Sequence, residues 1–322
     1  MPLQSRLVQA ALGKQSALAS PATTGAIMFG VLDGRVAQTE IDEGDLNPTW
    51  SSRLTEGFER TQIRSGAEFT AVATRGLIGQ LLFGACGADS VTGTAPYIHT
   101  ITEGAALPYF TVFGRGGGEY TQVNDAKVNT LELSFDKTSA LKAKAKIDGC
   151  SLAVLGGAWP TPPASERVQD GYFNMGGGLF TIDGASANIQ KGSIKIDNHL
   201  APVAAAFQVT PIDQYPGILT VEMAFTVIPN DIGIWRKVVF GSSTGTTGIA
   251  SVPYYGSVAQ QWKSGATDTL DFATPECKFM VAFPEAKAEG GPVELEIEAK
   301  LAVKVGGGDN FSWVLKNQTP SY

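Results

Sequence analysis

The sequence predicts an all-β protein with one or two short helices, arranged as a β-sandwich or partial barrel with an internal duplication. Three observations carry this prediction. The first is strict alternation from Lys127 to Ile147. Asn129, Leu131, Leu133 and Phe135 oppose Val128, Thr130, Glu132, Ser134 and Asp136. After the polar turn Asp136-Lys137-Thr138-Ser139, Leu141, Ala143, Ala145 and Ile147 oppose Lys142, Lys144 and Lys146. Successive strand side chains point to opposite faces, so this pattern is a long antiparallel hairpin with one apolar and one charged face. The second is glycine, 38 of 322 residues, as a fold rich in turns requires. The third is an order of elements that occurs twice along the chain.

Taken in order, residues 1–50 carry little periodicity and predict an extended N-terminal arm. Leu7, Val8, Ala11 and Leu12 could form a helical turn or two, and Ala26-Ile27-Met28-Phe29 is a short apolar patch. The first half, residues 51–163, contains a strand at Glu68–Thr74. A helix follows at Gly76–Phe83, stopped by Gly84 at the position where a left-handed residue ends a helix. Strands at Tyr97–Thr102 and Tyr109–Gly114, the long hairpin, and the apolar run Cys150–Leu155 complete it, before the Pro-rich connector Trp159–Pro163. The second half, residues 164–305, has strands at Ser193–Asp197 and Ile218–Val227 and a short helix capped by Asn230-Asp231 and ended by Gly241. Cys277–Phe283 matches Tyr109–Gly114, and Val293–Val303 alternates as the counterpart of the long hairpin. Residues 306–322 are a C-terminal tail.

Composition narrows the function. Hydrophobic residues at 43% fit a globular chain, and a formal net charge of −7 argues against a basic nucleic-acid-binding module. Cys86, Cys150 and Cys277 are odd in number and far apart, so neither a disulfide framework nor a zinc site is expected. The two histidines, His99 and His199, lie far from any cysteine, which disfavours a Cys-His dyad. The N-terminal segment lacks the continuous apolar core of a signal peptide, and no stretch approaches the ~20 apolar residues of a membrane span. A soluble, non-secreted chain without membrane insertion is expected. The glycine runs at Gly116–Gly118, Gly176–Gly178 and Gly306–Gly308 lack the Lys-Ser/Thr of a phosphate loop. No catalytic constellation, cofactor site or metal site emerges, and no enzyme activity is expected.

Several segments together carry a resemblance that spans Thr55 to Val305. They are ERTQIRSGAEFTAVATRGLIGQLLFGACG, YIHTIT leading to PYFTVFGR, KVNTLELSFDKTSALKAKAKI, and GSIKIDNHL followed by LTVEMAFTV and PVELEIEAKL. In this order the chain resembles the major tail tube proteins of siphovirus-type bacteriophages. The resemblance implies a β-sandwich with a flanking helix, whose inner strands complete a barrel across a hexameric ring. Stacked rings would form the hollow conduit through which the genome passes into the host cell. It further implies a tape measure protein inside the tube, terminator and distal tail or baseplate proteins at its ends, and assembly in the host cytoplasm into the virion tail. Six subunits would carry 6 × −7 = −42 formal charge, and an acidic channel would repel DNA phosphates.

The candidate lumen-facing residues are Glu68, Thr70, Glu132, Ser134, Glu222, Thr226, Glu294, Glu296 and Glu298. Candidates for contacts between subunits or rings are Leu7, Val8, Ile27, Phe29, Lys142, Lys144 and Lys146. The lysine row can alternatively pair across strands with Glu132 or Asp136. A second reading is a β-sandwich carbohydrate-binding or capsid or tail decoration module, with its five Trp and eight Tyr lining a sugar site. The tube subunit of a contractile machine is a third.

Overall fold

The computed structural model describes residues 9–46, 57–116, 118–159, 164–165, 171–206, 208–229, 231–283, 292–303 and 307–322. The strands of the first half are β1 (Gln9–Lys14), β2 (Ile27–Phe29), β3 (Val31–Leu46), β4 (Gly57–Val72), β5 (Gly87–Thr92), β6 (Tyr97–Glu103), β7 (Phe110–Gly116), β8 (Glu119–Asp136), β9 (Lys142–Gly149) and β10 (Ser151–Leu155). Short strands β11 (Ala164–Ser165), β12 (Phe180–Ile182) and β13 (Ala185–Ser186) follow. The second half continues with β14 (Asn188–Asp197), β15 (Ala201–Ala204), β16 (Pro211–Tyr215), β17 (Thr220–Ile228), β18 (Tyr255–Ser264), β19 (Asp268–Val281), β20 (Leu295–Leu301) and β21 (Ser312–Asn317). Helix α1 (Arg75–Cys86) follows β4, and α2 (Gly233–Phe240) follows β17.

The principal sheet runs β3-β4-β9-β8-β14-β17-β20-β19, every pair antiparallel. One face is the core. Phe69, Leu131, Leu133, Ala143, Ala145, Ile194, Met223, Ile297 and Phe279 are all buried there. β8 and β19 are long enough to serve two layers. The first part of β8 pairs with β7 and β10, and the remainder with β9 and β14. Likewise β19 pairs with β21 over Thr269–Ala273 and with β20 over Cys277–Val281. A strand that changes partners part-way makes the corner of a sandwich. No closed barrel forms within the chain among the described residues, so the architecture is a sandwich with an open principal sheet.

The duplication is written in the pairing. Each half lays down its strands in the same order: β3-β4-β9-β8 in the first, β14-β17-β20-β19 in the second. In each, the helix follows the second strand, and the last strand of the half returns to pair with the fourth, β10 with β8 and β21 with β19. Finer marks coincide. The β3–β4 ladder shifts register between Val31 and Asp33, where Ala71 and Thr70 lie opposite. The β14–β17 ladder shifts between Ile189 and Lys191, where Val227 and Thr226 lie opposite. One residue further, Gly34 faces Phe69 and Gly192 faces Phe225. A β-carbon on Gly192 would lie 2.8 Å from the rings of both Phe135 and Phe225, so the glycine makes room for the two aromatics. This frame corrects one expected correspondence. Cys277–Phe283 falls at the end of β19, the equivalent of β8, while the strand equivalent to β7 is β18.

Other differences have local causes. The stretch expected as an extended arm contains β1, β2 and β3. Ala11 and Leu12 are strand residues buried on both faces of β1, not a helical turn. Helix α1 runs past Gly84 and ends at Gly87, which adopts φ 97° as its cap. Gly84 is needed for packing instead, since a β-carbon there would meet Val128 at 2.7 Å and Phe110 at 2.9 Å. At α2, Ile232 occupies the cap position, and the Asp231 carboxylate accepts the Gly233 amide at 2.7 Å. The expected alternation at Val128 also fails. A bulge at Asn129 sets Val128 opposite Ile147 and Thr130 opposite Lys146, which puts Val128 in the core.

The expected C-terminal tail contains β21, which joins β6 of the first half to β19 of the second. His99 on β6 is fully buried and ties this segment down through Asp89 at 2.9 Å and the Thr319 carbonyl at 2.8 Å. Burial alone would lower the His99 pKa, but those two hydrogen bonds raise it. The small β15–β16 hairpin is moored to β8 by the buried Lys127, whose ammonium is 2.9 Å from Asp213 and 4.3 Å from the Tyr109 ring centre. Burial of Asp213 opposes its ionisation, yet hydrogen bonds led by that from Lys127 hold its carboxyl low. Burial and the Asp213 partner push the Tyr109 hydroxyl up to about 12.

Candidate assembly surface

The second face of the principal sheet is polar and exposed, and the register fixes which side chains share a row. One row crosses eight strands: Thr70, Lys144, Glu132, Lys195, Glu222, Lys300 and Lys278, with Asp33 of β3 beyond Thr70. A parallel row holds Arg35, Glu68, Lys146, Thr130, Asp197 and Thr220. On the other side run Lys142, Ser134, Ser193, Ala224, Glu298 and Met280, then Asp136, Lys191, Thr226 and Glu296.

Glu68, Glu222, Glu296 and Glu298 are exposed on this face, with Thr70, Glu132 and Ser134 half-buried. Thr226 is on the same face but only 8% exposed, with the longer Lys191 and Glu296 directly opposite it. Glu294 precedes β20 and is half-buried. Lys142, Lys144 and Lys146 are exposed on this same face, interleaved with the acidic candidates. Sequence reasoning had assigned the two sets to different surfaces, because alternation within a strand does not say which strands are neighbours. Of the remaining candidates, Phe29 is a core residue, buried with its ring 4.9 Å from Phe69, and is unavailable to another subunit. Ile27 is half-buried, paired between Leu12 and Ala164. Leu7 and Val8 lie outside the described residues.

The charge on this face balances from β4 to β19. Glu68, Glu132, Asp136, Asp197, Glu222, Glu296 and Glu298 stand against Lys142, Lys144, Lys146, Lys191, Lys195, Lys278 and Lys300. The face is therefore mixed in charge and not strongly acidic. Lys144 pairs with Glu68 at 3.2 Å and Lys300 with Glu222 at 3.1 Å, both through half-exposed side chains. Exposed pairs of this kind add only ~0–1 kcal/mol to stability, so their effect lies in which charges they occupy. The lysine row does not pair as expected. Glu132 is opposite Lys144 in register, yet the Lys144 ammonium turns to Glu68. Asp136 spends its carboxylate on the turn, accepting the Thr138 amide at 2.7 Å, the Thr138 hydroxyl at 2.9 Å and the Ser139 amide at 2.8 Å. The Thr138 and Ser139 hydrogen bonds hold its pKa down at about 2.

Sequence reasoning missed Lys191, Lys195, Asp197 and Lys278. The alternation of Ser193-Ile194-Lys195-Ile196-Asp197 carried the signal for Lys195 and Asp197.

Two concavities open on this face. One of about 420 Å³ is lined by Glu68, Lys146, Asp148 and Gln214 among others, and one of about 490 Å³ by Asp136, Lys191, Thr226 and Glu296 among others. Neither arrays a nucleophile against a base. Among the described residues no group of three or more His, Cys, Asp or Glu is placed to hold a metal ion. The three cysteines are free and buried, and burial pushes their thiols up, those of Cys150 and Cys277 to about 12.

The sheet is wide and polar on one face, and among the described residues its β3 edge has β4 as its only strand partner. The model of the phage tail tube protein family matches residues 5–231. The chain belongs to the phage tail tube protein family. It is a structural protein of a bacteriophage, it is placed in the virion tail, and it assembles with other tail components into a multimeric tube. A comparison with curated proteins found no match. The fold of this tail tube protein also bears on the sugar-binding alternative. Trp262 and Trp313 are fully buried and stack in the core at 6.1 Å. Trp159 packs on Phe113 and Tyr120, Trp235 lies against Phe240 and Phe283, and Trp50 is outside the described residues. Neither concavity is lined by a Trp or Tyr, and the aromatics at the second, Phe135 and Phe225, are buried core rings.

Proposed function

We propose that this chain is the major tail tube subunit, a non-enzymatic building block whose copies close into rings and stack into a hollow conduit for the genome. The observation that carries the reading is the eight-strand polar face above an apolar core, with the long strand β3 unpaired on its outer side among the described residues. Exposed edges invite pairing, and closing the sheet across copies removes them. A head-to-tail contact makes a ring when its rotation closes. The ring would hold six subunits, and the polar face would line its lumen. Glu68, Thr70, Glu132, Ser134, Glu222, Glu296 and Glu298 would then face the channel together with Lys142, Lys144 and Lys146.

A mixed wall handles DNA differently from an acidic one. Affinity for a polyanion comes from cations that displace its counterions. Here acidic side chains equal the lysines in number, and ion pairs such as Lys144–Glu68 occupy part of them. DNA would meet a hydrated surface with no net positive charge, and slide. By the same reading a tape measure protein fills the lumen before ejection. A terminator and distal tail or baseplate proteins finish the two ends, and assembly takes place in the host cytoplasm. Negative-stain electron microscopy of the purified protein tests the proposal: rings or hollow tubes are expected, and particles that stay monomeric at high concentration would refute it.

A further inference from the structure

The segment after β21, Thr319–Tyr322, lies across α1 and β1 and is held at four points. The buried Tyr322 ring sits against α1 where a β-carbon on Gly79 would overlap it, so the glycine is what admits the ring. The Tyr322 hydroxyl accepts a hydrogen bond from the Asn317 side-chain amide and lies 3.4 Å from the Arg75 carbonyl. Lys14 of β1 donates to the Tyr322 carbonyl at 2.8 Å. The fourth point is His99 of β6. Its Nε2 is 2.8 Å from the Thr319 carbonyl oxygen, and its ring centre is 4.6 Å from that of Tyr322. One short segment thus ties β1, α1, β6 and β21 together.

His99 is the point that can change. Its Nδ1 faces the Asp89 carboxylate at 2.9 Å and its Nε2 faces a carbonyl, so both partners are acceptors. A neutral imidazole has one N–H and serves one of them. Serving both takes one proton more, held on the ring as imidazolium or shared along the Asp89–His99 bond. The other Asp89 oxygen is buried with no hydrogen-bond partner among the described residues, so this carboxylate relies on His99. When the site loses a proton, the carboxylate keeps the N–H that faces it, because a bond to a charged acceptor is the stronger one. The proton that leaves is therefore the one on Nε2, and a bare nitrogen lone pair is left against the Thr319 oxygen.

The other titratable groups around this point are spent elsewhere. Lys14 donates to Tyr322, and Arg75 of α1 pairs with Asp268 at 2.7 Å. Tyr97 stands two residues along β6, opposite Asn317, and burial pushes the Cys86 thiol of α1 up. We propose that Thr319–Tyr322 is a proton-gated strap, closed over α1 and β1 while the Asp89–His99 pair holds its extra proton and released when that proton is lost. Burial opposes the cation, yet the Asp89 and Thr319 hydrogen bonds set His99 above the ordinary imidazole value of 6.5. The strap is therefore fully held below pH ~6.5 and is lost as pH rises through the higher folded value.

The test is NMR of the full chain isotope-labelled only at histidine and tyrosine, which puts two imidazoles and eight phenols in view. His199, with a side chain 54% exposed, is the internal control. At pH 6 His99 is expected to carry protons on both nitrogens and to show a through-space contact with Tyr322, assigned by its loss in Tyr322→Phe. Raising the pH should remove the Nε2 proton and the contact together. Asp89→Asn takes away the carboxylate that stabilises the cation and should move both changes to lower pH. A single proton on His99 at pH 6, both protons retained up to pH 9, or a Tyr322 contact that survives loss of the Nε2 proton would overturn the proposal. So would an Asp89→Asn midpoint equal to that of the wild type. The wild-type titration decides the matter by itself if Asp89→Asn does not fold.

Discussion

The two halves share a topology but not a setting, and the contrast shows how a repeated unit is put to use. In the first half α1 has eleven of its twelve residues buried, pressed between β8, β6 and β21. In the second half α2 has no buried residue. Among the described residues the β8 edge of the first half is completed by β14, whereas the equivalent stretch of β19, Met280 and Val281, has only β20 beside it. The first half is the more enclosed of the two.

Substitutions can break that contrast. The largest effect is expected in the helices. Leu81→Ala in α1 removes a fully buried side chain from a closed site and should cost about 3 kcal/mol. The matching Val238→Ala in α2 should cost well under half as much in the free subunit, because its surroundings are half open. Equal losses in denaturant melts would mean that the helices are not differently embedded. Next comes the mooring of the β15–β16 insertion. Lys127→Met leaves the Asp213 carboxylate without its cation, and about 2 kcal/mol of destabilisation is expected, reduced from the fully buried case because Asp213 is partly exposed. Asp213→Asn with Lys127→Met should recover part of the loss; no recovery would show that the pair does not act as a pair.

The smallest effect is at the turn that ends β8. The Asp136 pKa lies below its unfolded value, so its contribution is present above pH ~4 and is lost as pH falls toward about 2. Thermal melts of wild type and Asp136→Asn should therefore differ at pH 6 and converge near pH 2. A constant difference across that range would assign the effect to something other than the carboxylate.

Much of this was legible in the sequence, for physical reasons that differ from strand to strand. β8, β9, β17 and β20 bury one face and wet the other, so apolar and charged residues alternate and the strands show themselves. β3 was hidden because three register shifts interrupt its period. β18 was hidden because two of its inward positions are the polar Gln260 and Ser264. The alternation that begins at Lys127 carried no sign that its ammonium is buried against Asp213 of the β15–β16 hairpin. On the candidate surface, the acidic residues were found and the lysines were found, but not that they share a face. Register between strands distant in sequence is set by tertiary pairing, which a single strand's pattern does not encode.

The claim that most needs testing is that copies of this chain close into rings and stack into a hollow tube. Negative-stain electron microscopy of the purified protein should show rings or hollow tubes, and particles that stay monomeric at high concentration would contradict the account.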